Sequence, residues 1–304
     1  MRNGWKGHVH EFIAALELAA RRELVSPRYI FNRLEDAESD GLDFVGEKVY
    51  LYLGTSLKTH KKLVSSALTG TADKDVQRLV NRCLDFYSDL AVPYDYHTVY
   101  ADGGTGSKSD VTLTYPKGNQ INLSLKWSNK STFNQQTHGQ KSMSNWLKFD
   151  RGLEKACDQF SRTVTPLVGD GGDKAEREYK KALDVFFANL DESFENMEPE
   201  NFVAAARHAL TDNEPNTMLI NLSLNSADVY RLDARSQQRL KKTLSEGYWQ
   251  VEVQEWSGGK NAVRTYTHDS GIQFRLDYGT RTRTHGGTRR EIVGHNARWT
   301  FINI

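Results

Sequence analysis

Two residues stand out for the chemistry that their types and spacing allow, a carboxylate at Asp110 and an amine at Lys126, within the stretch SDVTLTYPKGNQINLSLK that runs from Ser109 to Lys126. Side chains of a strand alternate between its two faces. Val111, Leu113, Tyr115, Ile121, Leu123 and Leu125 therefore form an apolar face, and Asp110, Thr112, Thr114, Asn122, Ser124 and Lys126 a polar one. With a loop over Pro116 to Gln120, antiparallel pairing sets Asp110 opposite Lys126 or, one pair along, Ser124. Either register leaves all three on the polar face at the open end of the hairpin. A carboxylate beside an ammonium suits phosphodiester hydrolysis. That reaction needs a hard divalent cation to neutralise developing negative charge and to lower the pKa of the attacking water, and a carboxylate is its natural ligand. A neighbouring lysine orients the water or stabilises the transition state. In this arrangement Asp110 holds the metal, the Leu125 carbonyl adds a ligand, and Lys126 holds water or phosphate.

Such a hairpin must be held by a sheet and helices. Apolar residues at helical spacing, Val9, Phe12, Ile13, Leu16, Ala19 and Ala20, predict an opening helix that ends before Ser26-Pro27. A second helix is predicted from Asp73 to Leu90, with Val76, Leu79, Val80, Cys83, Leu84 and Tyr87 as its buried stripe. Strands follow over Tyr96 to Ala101, Asp110 to Tyr115 and Ile121 to Trp127. Helical patterns occupy Asn145 to Arg162 and Lys174 to Leu190, Thr217 to Leu224 reads as a buried strand, and Leu232 to Glu246 as a basic helix. The remainder from Tyr248 is β-like. The expected class is α/β in an elaborated α+β form, a mixed central sheet flanked by helices. Its expected divisions are an N-terminal helical segment over 1–72, a core over 73–230, and a basic helix with a β-rich region over 231–304, packed as one globular unit.

Charge is segregated along the chain although Lys plus Arg, at 40, nearly equal Asp plus Glu, at 39. Between Gly103 and Lys148 the one carboxylate is Asp110, whereas Asp150 to Glu214 is rich in acids and the last segment turns basic again. Positive blocks of this kind suit a polyanion confined to one face. The polar segment WSNKSTFNQQTHGQKS, with Lys130, Asn134, Gln135, Gln136 and Lys141, and Lys108 in the glycine-rich GGTGSKSD, are candidates to contact phosphates and base edges. The run TRTRTHGGTRR places Arg281, Arg283 and His285 on one side of a strand, with Arg289 and Arg290 beyond, and no carboxylate lies between Tyr278 and Arg290. The competing explanation for such runs is a solvated face or a protected sheet edge.

At Ser109-Asp110 and Ser124-Leu125-Lys126 the sequence resembles the PD-(D/E)XK nuclease superfamily, which includes most type II restriction endonucleases. There an acid on one core strand is followed, on the next, by an acid, any residue and Lys. The resemblance extends over a helix-strand-strand-strand-helix-strand order from about Asp73 to Leu224. Ser109 stands where the family has Pro, and Ser124 replaces the second acid. Family members with a neutral residue there take a carboxylate from elsewhere, often a helix; Asp102, Asp85 and Glu47 are the candidates. The resemblance implies a PD-(D/E)XK-like fold, catalytic Asp110, Ser124 and Lys126, Mg²⁺ or alternatively Mn²⁺ as cofactor, double-stranded DNA as substrate, a homodimer, and a cognate DNA methyltransferase in the same system. A non-catalytic DNA-binding protein, or a repair or phage nuclease of the same superfamily, are the alternatives.

Other chemistries lack their motifs. No GxGxxG precedes a helix, and neither GxxxxGK[ST] nor GxSxG occurs, so nucleotide cofactors and serine hydrolysis have no support. Cys83 and Cys157 cannot build a four-thiolate zinc site and are expected to be buried. The nine histidines are scattered, and a surface or coil position is expected for each, His8 and His10 included. No apolar run reaches the roughly 18 residues of a membrane span, and the opening residues lack a secretory signal, so a cytoplasmic location is expected.

Overall fold

The computed structural model describes residues 5–35, 43–103, 109–128, 132–138, 151–167, 169, 173–211, 214, 216–254, 261–285 and 289–304. In chain order the first elements are α1 (Trp5–Glu23), α2 (Pro27–Glu35), β1 (Asp43–Phe44), β2 (Tyr50–Leu53), α3 (Thr55–Lys58), α4 (Lys61–Leu68) and α5 (Lys74–Ser88). Then come β3 (Thr98–Ala101), β4 (Val111–Thr114), β5 (Gln120–Trp127), β6 (Thr132–His138), α6 (Arg151–Val164), α7 (Asp173–Glu195) and α8 (Pro199–Thr211). The chain finishes with β7 (Thr217–Leu222), β8 (Ala227–Arg231), α9 (Ala234–Leu244), β9 (Trp249–Gln254), β10 (Asn261–His268), β11 (Gln273–His285) and β12 (Arg289–Ile302).

These elements form two compact units, Met1–Ser131 with Glu214–Asp233, and Thr132–Asn213 with Ala234–Ile304. The first is a mixed α/β unit around a seven-stranded sheet of order β1-β2-β3-β4-β5-β7-β8. Strands β3, β4 and β5 form an antiparallel meander, β2 runs parallel to β3, and β7 parallel to β5. The hairpin register pairs Val111 with Leu123 and Thr112 with Asn122, so Asp110 falls opposite Ser124, the second of the two registers the alternation allowed.

Helix α1 covers the apolar face of this sheet, against β2, β3, β4 and β5, and packs beside α5. Val9, Phe12, Ile13, Leu16, Ala19 and Ala20 are fully buried there. Burying each large apolar side chain stabilises the unit by about 1.5–3 kcal/mol. The helix stops at Leu24, whose φ of 62° is left-handed. Pro27 then opens α2 at a position where its missing N–H costs nothing. Asp73 caps α5 by accepting from the amides of Asp75 and Val76, and Val76, Leu79, Val80, Cys83 and Tyr87 form its buried stripe.

The second unit has a five-stranded antiparallel sheet of order β6-β12-β11-β10-β9. An aromatic cluster fills it, with Phe194 stacked on Tyr266 at 3.8 Å and Phe202, Phe274 and Phe301 close by. Cys83 and Cys157 are both buried and free. No helix among the described residues is long and apolar enough to cross a membrane.

The division differs from the expected one. The segment 1–72 is no separate helical addition, because α1 and β2 are part of the sheet unit. Helices α6 and α7, expected in the core, group instead with the β-rich C-terminal region. Helical periodicity shows which face of a helix is buried without showing against which sheet, so this grouping was not readable. The segment 132–138, read as part of a polar surface stretch, is a strand because β12 pairs with it.

Candidate catalytic site

Asp110 lies just ahead of β4, and its amide continues the ladder by donating to the Leu123 carbonyl at 2.9 Å. The Leu125 amide in turn donates to Asp110 Oδ2 at 2.5 Å. Lys126 Nζ stands 3.5 Å from the same oxygen, and the Ser124 side chain also hydrogen-bonds the carboxylate. The Asp110 side chain keeps 15% of its surface and that of Lys126 39%, so the carboxylate is sunk while the ammonium reaches water. Burial pushes the Asp110 carboxyl above its ordinary range, against the pull of Lys126, the Leu125 amide and Ser124. In an antiparallel ladder a residue's N–H and C=O point to the same side. The Leu125 carbonyl therefore faces the open end of the hairpin, beside Asp110.

A second carboxylate reaches this site from α1. Glu11 is half-buried, and burial, followed by the charge of Asp110, pushes its pKa up to about 8, with Lys126 pulling the other way. The sequence reading missed Glu11. Its signal is an acid set inside the apolar run VHEFIAALEL, where a solvated helix face would not need one. Next to it, His10 is fully buried rather than at the surface. Its Nε2 lies 2.7 Å from the Tyr87 hydroxyl, and its ring meets the edge of Trp127 at 5.7 Å. Burial, helped by the Lys126 charge, lowers its pKa to about 3, so it is neutral. Tyr87 is held protonated by burial, with Cys83, Asp110 and Glu11 adding to the effect.

The three candidates for the second acid, Asp102, Asp85 and Glu47, are all exposed, and the β3–β4 register, continued by two residues, sets Asp102 opposite Asp110. Asp102 is exposed and acts on Tyr100. Asp85 is exposed on α5 and acts on the buried Glu17 of α1. Glu47 is exposed in the turn before β2, where its amide donates to Glu23 Oε2 at 3.0 Å. Glu11 comes under the charges of Asp110 and Lys126 because α1 lies along the sheet, its neighbour His10 meeting Trp127 at the end of β5, a contact that no local pattern encodes.

Of the nucleic-acid candidates, Lys108, Lys130 and Lys141 lie outside the described residues. Asn134, Gln135 and Gln136 fall on β6, paired with Thr300, Trp299 and Arg298 of β12. Arg281, Arg283 and His285 fall on β11, and Arg289 and Arg290 on β12. All of these strand residues belong to the second unit, whereas Asp110 and Lys126 belong to the first. In the backbone register Glu291 of β12 falls opposite Arg283 of β11.

Among the described residues no three His, Cys, Asp or Glu side chains gather as a metal cluster. Mg²⁺ does not need one, since one or two carboxylates, water and substrate phosphate usually complete its shell. The donors present, Asp110, Glu11 and the Leu125 carbonyl, are all hard oxygens, and both acids are raised in pKa by burial. That donor set fits Mg²⁺ or Mn²⁺, since a cation there relieves the cost of holding two carboxylates out of water. Comparison of the chain with protein-family models, with curated proteins and with solved structures finds no match.

Proposed function

We propose that this chain is a Mg²⁺-dependent DNA endonuclease of the PD-(D/E)XK kind, acting as a type II restriction enzyme. The observation that carries the reading is the convergence of Lys126 Nζ and the Leu125 amide on one oxygen of Asp110. The order α5, β3, β4, β5, β7 supports the helix and four strands of the expected helix-strand-strand-strand-helix-strand order, without its second helix in the same unit. The intervening helices depart from a minimal core, since residues 132–213 belong to the second unit.

In this mechanism Asp110, Glu11 and the Leu125 carbonyl would hold the cation. When bound, it supplies Lewis acidity that neutralises the phosphate and makes water a nucleophile at neutral pH. The chain's own residues do the rest. Ser124 and the Leu125 amide hold the Asp110 carboxylate in one orientation. Lys126 is tethered at one end by Asp110 and open to water at the other, and it orients the attacking water or faces the charge growing on phosphorus. Neutral His10 and Tyr87 back the site without adding charge. Double-stranded DNA as substrate, a homodimer that cuts both strands, and a cognate DNA methyltransferase belong to this same proposal.

The test is to incubate the protein with unmethylated phage DNA and Mg²⁺, beside EDTA, Asp110→Ala and Lys126→Ala controls. Discrete fragments that all three controls abolish support the reading. Intact DNA with a mobility shift would point instead to a non-catalytic DNA-binding protein, and random smearing to a nuclease without site specificity.

A further inference from the structure

The sheet face that carries Thr112, Asn122 and Lys126 also carries two tyrosines. On β2 the buried Leu51 and Leu53 alternate with Tyr50 and Tyr52, and on β3 the buried Val99 and Ala101 alternate with Thr98 and Tyr100. Tyr52 and Tyr100 are direct partners in the parallel register. Their rings stack at 4.4 Å within 5° of parallel, and a hydrogen bond joins the side chains. Tyr100 nonetheless keeps 41% of its surface.

The register continues this row from Tyr100 to Thr112 and on to Asn122, toward the catalytic strand. Thr112 donates to Asn122 Oδ1 at 2.9 Å and is 2.9 Å from the Ser109 hydroxyl, so it lies low on the sheet as part of a polar floor. Asp110 follows two residues from Thr112, just ahead of β4, at the end of this row, where its carboxylate accepts from the Leu125 amide. Strand spacing and rise put the Tyr100 and Asp110 backbones roughly 8 Å apart, a reach that one nucleotide covers from phosphate to base.

Exposed aromatic rings on a sheet are how proteins hold bases that have left the helical stack, because every base offers a π face. A tyrosine pair retained only for strand propensity would have no reason to stand in register with the catalytic row. From this arrangement we infer that Tyr100, backed by Tyr52, stacks on an unpaired nucleobase of the strand whose phosphate lies at Asp110 and Lys126. The inference rests on the nuclease reading for the position of the phosphate alone, and departs from that reading's paired-duplex substrate. It makes the preferred substrate a strand with unstacked bases, whether single-stranded, bulged or frayed, over a fully paired duplex.

The experiment measures binding in EDTA of short DNA oligonucleotides carrying 2-aminopurine, whose fluorescence is quenched by stacking, as single strand, bulged duplex and paired duplex, with a single-stranded RNA arm. Wild-type protein should quench the single strand and the bulge and bind them at least tenfold more tightly than the paired duplex. Tyr100→Leu should lose the quenching and bind about tenfold more weakly, Tyr52→Leu should show a smaller loss, and Tyr100→Phe should restore both signals. Unchanged quenching and affinity in Tyr100→Leu, equal binding of all three DNA forms, or no binding of any of them, would overturn the inference. Stacking without cleavage in Mg²⁺ would keep it while removing the nuclease reading, and cleavage of paired duplex with no effect of Tyr100→Leu would do the reverse.

Discussion

Lys126 Nζ lies 3.5 Å from Asp110 Oδ2, the oxygen that also accepts from the Leu125 amide. One atom thus joins a half-exposed cation to a sunken anion at the open end of a hairpin. Removing the lysine charge while keeping its bulk, as in Lys126→Met, should reduce DNA cleavage by at least about 100-fold. The lysine head is partly in water, so the melting temperature should move by only a few degrees. Single-turnover cleavage beside a thermal melt checks both, and a cleavage rate within about threefold of wild type would remove Lys126 from the site.

Glu11 sets a pH limb. Its pKa of about 8 means that the proton must leave before the carboxylate can serve a cation. Cleavage at limiting Mg²⁺ should rise with pH to about 8 and then level off, and saturating Mg²⁺ should move the limb to lower pH because cation and proton compete. Glu11→Gln should flatten this limb and raise the Mg²⁺ requirement about tenfold or more. The linkage sign is that of a raised folded pKa. The stability it contributes is fully present below the unfolded value of 4.5 and is lost as pH rises through about 8. Without Mg²⁺, Glu11→Gln should therefore melt at a higher temperature than wild type at pH 9, a difference that disappears near pH 4.

Glu17 offers the same sign away from the site. Burial, with Asp85 adding to it and Arg21 opposing, raises its pKa to about 7. Glu17→Gln should stabilise the protein above pH 7 by about 1 kcal/mol, a figure discounted for solvent screening, and have little effect near pH 4. Asp85→Asn should lower the Glu17 pKa, stabilise the protein slightly at high pH, and leave cleavage within about twofold. Urea titrations across pH 4 to 9 give the comparison, and a large cleavage defect in Asp85→Asn would return that residue to the list of metal ligands.

His10 and Tyr87 form a buried pair in which the His10 Nε2 and the Tyr87 hydroxyl meet at 2.7 Å, while the His10 Nδ1 has no hydrogen-bond partner among the described residues. Tyr87→Phe leaves the His10 Nε2 unsatisfied inside the unit, which should cost about 1–3 kcal/mol. Replacing both residues by Phe should cost less than the sum of the single changes, since no polar group is then left orphaned. A double-mutant cycle by denaturant melts measures this coupling, and strict additivity would mean that the two rings do not depend on each other.

Much of the first unit was legible in the sequence because its rules are local. A period of two along Val111–Thr114 and Gln120–Trp127, around a turn with Gly118 at φ 77°, is enough to put Thr112, Thr114, Asn122, Ser124 and Lys126 on one face. Pro27 marked the end of α1 and Asp73 the start of α5 for reasons of backbone chemistry alone, a proline that disfavours a helical residue before it and a carboxylate at a helix N-terminus, whereas α2, which Pro27 opens, was not legible. The tyrosines of β2 and β3 were not read as a pair, since stacking depends on the parallel register between two strands far apart in sequence.

What the sequence determined by itself, then, was the two helices α1 and α5 and the alternation of one hairpin, all consequences of backbone periodicity over a few residues. The tertiary structure decided which further carboxylate comes under the charge of Asp110 and which segments share a core. Glu11 comes under that charge because α1 buries its apolar stripe on the sheet beside β5, and β6 becomes a strand because β12 supplies its partner. Hydrophobic burial is non-directional: it demands that a helix stripe or strand face be covered, and only the packed chain specifies which surface covers it.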